Sequence, residues 1–356
     1  MKKIIGIFIT LFILCNISCA KGRSDNYQSE ISQVPENAEE LCAEPEELKP
    51  LFTLQKPSGL PVKLKESWGY VSQTHLDEYD STMPLTDVCL FAGEINTYGE
   101  LAGVPKRSKI DVGNARCHLV IICESRSLSH FILDPQYDLR KKLIKDIVKA
   151  AEPYDGVQID FESIPGRDRK HYLTFLADLR YSLGSKKWFS VCVPARTKYI
   201  SDDIFPYEEI SKYCDRVFVM AYDESWSGSK PGPIASIAWC KRVLDYAKKT
   251  IPEKKLIMGI PFYGRTWGTE KTDSAWYFSS LNRIMTEHKV EEVIYENDIP
   301  SFKYTAHIDV TGFFNDAYSD VNLCRLYESS GIQKLGFWRV GQEDPEIWNW
   351  INIEKK

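Results

Sequence analysis

Along residues 67–338 short apolar runs alternate with amphipathic stretches, and the two have different periods. The short runs read as strands: Trp68–Ser72, Val88–Glu94, Leu119–Glu124, Gly156–Phe161, Phe189–Pro194, Arg216–Ala221, Leu256–Pro261 and Lys334–Trp338. Between them, Leu139–Ala151, Arg169–Leu183 and Ala235–Thr250 carry apolar residues at helical spacing with charges in between. Eight such runs separated by helices predict an α/β fold, a (β/α)₈ TIM barrel, because each parallel strand needs a crossover long enough to hold a helix. The stretch from Gly264 to Gln333 is far longer than an ordinary βα loop. Its helix-like Ser280–His288 and strand-like stretches around Val293 and Tyr304 predict a small α+β insertion between strands 7 and 8, about residues 265–330.

The start of the chain follows another pattern. Lys2 and Lys3 precede an apolar run from Ile4 to Leu14, which fits a signal peptide over residues 1–19 and is too short to span a bilayer. Asn16-Ile17-Ser18-Cys19 resembles a bacterial lipoprotein box with Cys19 as the lipid anchor, although Asn16 stands where an apolar residue is usual. Ordinary cleavage after Ser18-Cys19-Ala20 is the alternative. Residues 20–57 are polar and acidic, contain Pro35, Pro45, Pro50 and Pro57, and read as a tether. Residues 58–356 form the predicted barrel, and the two-domain prior for this length gives way to a single domain. The expected location is a bacterial envelope, membrane-anchored through the lipid, or else periplasmic or secreted.

Composition narrows the function. Of 356 residues, 43% are hydrophobic and 27% charged, which excludes disorder for most of the chain. Forty-five Lys and Arg against 50 Asp and Glu leave a charge of −5, without the basic excess of a nucleic-acid partner. Nine Trp and 19 Tyr serve either packing or stacking on flat, weakly charged ligands such as sugars. Of ten Cys, Cys15 lies in the leader, and Cys89, Cys123 and Cys192 sit inside apolar runs, so a disulfide framework is not expected. The six His show no paired metal spacing; a monomer without metal or cofactor is expected.

Chemistry concentrates in Asp155-Gly156-Val157-Gln158-Ile159-Asp160-Phe161-Glu162. Alternation along a strand puts Gln158, Asp160 and Glu162 on one face and Val157, Ile159 and Phe161 on the other. With the apolar set against the helices, an amide and two carboxyls point into the barrel interior. That is costly unless they are hydrogen-bonded or one holds a proton. Either a satisfied polar network or a functional acid fits. Glu162 ends its strand where barrel enzymes place their chemistry, which favours an acid with raised pKa that protonates a leaving oxygen.

At these residues the sequence resembles glycoside hydrolase family 18, the chitinase-like hydrolases, marked by Asp-Gly-x-Asp-x-Asp-x-Glu on the fourth strand. Met220-Ala221-Tyr222-Asp223 is similar to the sixth-strand motif, Gly259-Ile260-Pro261-Phe262-Tyr263-Gly264-Arg265 to the seventh, and Gly336-Phe337-Trp338 to the end of the eighth. The resemblance runs from about Glu66 to Trp350. It implies that Glu162 is the acid/base, that Asp160 and Tyr222 hold the N-acetyl group, and that Trp338 lies under the sugar at the cleavage site. The sugar's own acetamido oxygen would then attack the anomeric carbon in a retaining mechanism. The implied partner is an N-acetylglucosamine-containing glycan cleaved at β-1,4 bonds, in chitin-like or peptidoglycan chains.

Gln158 stands where chitinases have Asp. A Gln cannot titrate, so Asp160 keeps only a neutral neighbour there, and an altered pH profile is expected. An amide at this place, with Trp338-Arg339-Val340-Gly341-Gln342-Glu343-Asp344, resembles the peptidoglycan-active, spore-cortex-lytic N-acetylglucosaminidase branch. Asp223 is a candidate substrate or Glu162 contact, or a strand-end cap; Arg265 a substrate contact or an ion pair; Met220 and Gln158 are candidate substrate contacts. Trp68 and Trp267 are candidate sugar platforms, with packing the default for a lone Trp. The rival functions are a non-catalytic chitinase-like lectin, which the retention of Glu162, Asp160 and Tyr222 argues against, and a surface scaffold.

Overall fold

The computed structural model describes residues 53–270 and 276–354. The expected signal peptide, Cys19 and all but the last five residues of the expected tether lie outside the described residues.

Eight strands form one closed sheet: β1 (Glu66–Ser72), β2 (Asp87–Ile95), β3 (Arg116–Cys123), β4 (Gly156–Phe161), β5 (Trp188–Pro194), β6 (Arg216–Met220), β7 (Leu256–Pro261) and β8 (Lys334–Trp338). Each pairs in parallel with its neighbours in sequence, and β8 also pairs with β1, so the cylinder closes. This is the (β/α)₈ barrel that the alternation predicts. The helices are α1 (Arg126–Leu133), α2 (Leu139–Ala150), α3 (Arg169–Leu183), α4 (Tyr207–Ile210), α5 (Ile237–Thr250), α6 (Phe278–Glu287) and α7 (Ala317–Ser329). The first two connections hold only 3₁₀ turns, Leu76–Glu78 and Arg107–Lys109, and a short strand, Leu101–Ala102, antiparallel to the end of β2.

Two cores result. Outward residues such as Val157, Ile159 and Phe161 pack with the helices, while Trp68, Tyr70, Cys89, Val120, Ile122, Cys192, Phe218 and Ile257 fill the interior. The floor, at the strand starts, is charged and ordered. Arg216 Nε donates to Glu66 at 2.9 Å, Arg116 and His118 both donate to Asp87, and Trp188 is stacked against Arg116 and Arg216 at 4.4 and 4.8 Å. Val62–Leu64 pairs in parallel with Ile351–Ile353 beside this floor.

The insertion is smaller than the expected 265–330. Gly264–Gly268 pairs antiparallel with Val310–Phe314, and α6 and the hairpin Ile294–Glu296/Ile299–Ser301 complete it. No strand forms at Tyr304. After it, α7 belongs to the helix coat: it packs on α5 and β7 and buries Val321, Leu323, Cys324 and Tyr327. Asp316 and Ser319 close a capping box at its start. All seven described cysteines are buried and unpaired.

Candidate active site

The β4 segment positions the chemistry as its period requires. Gln158 is fully buried and Asp160 is 4% exposed, while Glu162, just past the strand end, is exposed at the mouth. Its backbone N–H donates to Cys123 O at 3.2 Å, which ties the loop after β4 to the end of β3.

Charge and burial tune the two carboxyls. Burial pushes the Asp160 carboxyl well above the usual carboxylate range, the charge of Glu162 adds to this, and a thiol hydrogen bond from Cys192 works against it. The Glu162 carboxyl is raised by desolvation first, then by the charges of Glu124 and Asp223. Both groups therefore hold protons more tightly than free carboxyls. The Gln158 amide donates to Ser190 Oγ at 3.0 Å rather than to Asp160, and Gln158 Oε1 and Asp160 Oδ1 are both buried without a partner among the described residues.

Across the mouth, Tyr222 lies half-buried against the interior cluster beside Met220, Phe91 and Trp338. Its phenol is pushed up by burial, then by the Cys192 thiol and Asp160. A glycine at 259 lets that ring approach β7, because a Cβ there would meet Tyr222 Cε1 and Val219 O at 2.9 Å. Asp223 adopts a left-handed backbone, φ 58°, and accepts from Tyr263 Oη at 2.6 Å and from Arg265 Nη2 at 2.7 Å. Arg265 is thus an ion-pair partner of Asp223, and Asp223 in turn acts on Glu162 through its charge. Trp338 is half-buried, edge-on to Phe91 at 4.7 Å and tilted on Tyr70 at 5.5 Å.

Two expectations are corrected. Trp68 is fully buried on the floor side of the interior, its indole donating to Glu66 at 3.1 Å and stacked on His118 at 4.5 Å, so it offers no face to a sugar. It sits near the start of β1, whereas the mouth lies at the strand ends. Trp267 is 9% exposed, donates to Trp226 O at 3.2 Å and packs on Phe313.

The structure adds Glu124, Tyr70, Cys192 and Tyr263. Tyr70 Oη lies 3.8 Å from Cys192 Sγ, beneath Asp160 and Tyr222 in the same interior. Glu124 closes the third apolar run, and Tyr263 lies inside the seventh motif just past its strand; a polar residue at a strand end was the available signal for both.

The family model described as Glycosyl hydrolases family 18 matches residues 124–343, more than half of the chain. The cortical fragment-lytic enzyme of Bacillus anthracis is 29% identical over 224 residues, 59% of this chain and 52% of that protein. The chain spans about half the length of the curated relatives it matches. Among solved structures, the Bacillus cereus spore cortex-lytic enzyme SleL superposes with a TM-score of 0.65 at 25% identity, covering 84% of this chain and 77% of that one. A chitinase from Bacteroides thetaiotaomicron shares the fold at 19% identity, with a TM-score of 0.60 and coverage of 81% and 93%.

Proposed function

Starting from its membership of the glycosyl hydrolases family 18, to which the chain belongs, we propose that it is an exported glycoside hydrolase. It cleaves β-1,4 bonds at N-acetylglucosamine in peptidoglycan or chitin-like chains. One observation carries this reading: a buried Asp160 and a mouth-facing Glu162, both with raised proton affinity, lie within electrostatic reach of Tyr222. The relatives named for cortex lysis support peptidoglycan as the substrate class.

Glu162 protonates the glycosidic oxygen. Its raised pKa keeps that proton on the carboxyl to higher pH than in a free Glu. The sugar's acetamido oxygen attacks the anomeric carbon, and Asp160 and Tyr222 hold the acetamido group and offset the charge that develops on it. The ionised Glu162 then takes a proton from water, which opens the ring with retention. Gln158 Oε1, on the same strand face, and Asp160 Oδ1 both lack a partner among the described residues, and the amide cannot take a proton from Asp160. The resting site therefore holds the Asp160 proton without a second carboxylate at position 158. The lipid anchor at Cys19 would keep the enzyme at the envelope it acts on.

Purified protein is expected to release reducing ends from N-acetylglucosamine oligomers or peptidoglycan. Glu162→Gln should lower kcat by about 10²-fold or more while binding persists. Binding with no turnover by the unaltered protein on any such glycan would sink the reading.

A further inference from the structure

Beside the acid, a cavity of about 440 Å³ opens between the first half of α1 and the turn after β4; Arg126, His130, Phe131, Gly166 and Arg167 are among its walls. Building on the glycosidase reading above, we propose that this cavity is a subsite for a carboxylate-bearing substituent of the glycan.

Its place follows from the chain. Pro165, another wall residue, is three residues past Glu162, hence at most about 11 Å away along an extended backbone. Arg126 is two residues past Glu124, whose charge Glu162 feels. The cavity therefore lies on the catalytic face, within a sugar or two of the cleaved bond.

Its chemistry selects for an anion. Arg126 is exposed and has no carboxylate partner among the described residues. The Arg167 side chain is 70% exposed, with only a 4.0 Å approach to Asp168. No carboxylate lines the cavity. Behind the wall, Asp168 is 1% exposed and already holds His130 Nδ1 at 2.9 Å and His171 Nδ1 at 3.2 Å, and Asp134 approaches His130 Nε2 at 3.8 Å. Two guanidinium forks facing one space match a carboxylate, which each can bind through two N–H groups. At the rim, Phe131 and Tyr137 pack edge to face at 4.8 Å and remain about two-fifths exposed, an apolar ledge for a sugar face or an alkyl chain. Gly166 leaves the space clear, since a Cβ there would meet nothing within 4 Å. A neutral N-acetylglucosamine oligomer leaves the two arginines without a partner. A glycan bearing lactyl acid, or a peptide carried on it, supplies one.

The test compares kcat/KM on three soluble substrates: a neutral N-acetylglucosamine oligomer, a peptide-free oligosaccharide with lactyl carboxylates, and the same oligosaccharide carrying its peptide. For Arg126→Ala and Arg167→Ala, the ratio of acid-bearing to neutral kcat/KM should fall about three- to tenfold, and Lys at either position should recover part of it. The acid-bearing substrate that shows the fall identifies the source of the carboxylate. A ratio equal in the unaltered protein and both variants overturns the subsite, while cleavage of the neutral oligomer leaves the glycosidase reading standing. Should no substrate be cleaved, the glycosidase reading fails. Calorimetric titration of the same oligosaccharides into Glu162→Gln protein then decides the subsite alone: tighter acid-bearing binding that Arg126→Ala removes supports it, and equal binding overturns it.

Discussion

At Glu162 the proton affinity is set largely by groups its own strand does not carry. Desolvation comes first, and the charge with the largest effect, that of Glu124, sits just past the end of β3. An acid must be protonated to act, so activity is lost as pH rises through its pKa. Glu124→Gln removes a like charge and lowers that pKa; the alkaline limb of kcat/KM against pH should move to lower pH, and a limb that stays or moves upward would refute the coupling. Asp160 shows the other side of such tuning. Its folded pKa lies above the unfolded one, so the native state binds the proton more tightly and stability falls as pH rises between the two. Asp160→Asn should relieve about 1–3 kcal/mol of buried-carboxyl cost at neutral pH, seen as a higher Tm together with a loss of turnover. An unchanged or lower Tm would contradict this. Gln158, Asp160 and Glu162 were legible in the sequence because a period of two puts them on one face. Tyr70 and Cys192 were not, because their meeting depends on the closure of the barrel, and Glu124 and Tyr263 showed only as polar residues at strand ends.

Among the elements, the strands were the most readable. Their apolar runs are continuous, both faces being buried, and the predicted bounds of β4, β7 and β8 match those observed. Three helices escaped, the four-residue α4 being too short to show a period. The eight-residue α1 has only Ser129, Ile132 and Leu133 buried, too few for a sustained period, and α7 follows the insertion so closely that its pattern merged with it. The strands also place what the helices cannot. Tyr222 leaves β6 against the bare backbone of Gly259 on β7. Gly259→Ala should push that ring away and lower kcat by about ten- to a hundredfold, since misplacement on the scale of an ångström has effects of that size. Unaltered kcat in a folded Gly259→Ala protein would show that the ring's position does not matter.

For the whole molecule, eight strands paired in chain order reduce the length to one barrel with an insertion, and the mildly acidic balance is that of a protein whose substrate is read locally. The proposed leader is a matter for the envelope. Cys19→Ser should move the protein from the detergent-extracted membrane fraction to the soluble one with its turnover intact, and a variant that stays in the membrane would rule out the lipid anchor. The pairing of Val62–Leu64 with Ile351–Ile353 has a consequence of its own. It brings the entry and exit of the barrel together at the floor, so the chain is nearly a ring, lacking only a covalent seam. Both ends of the described barrel therefore leave from the side opposite the mouth, and neither connection has to cross the face where a long polymer would lie.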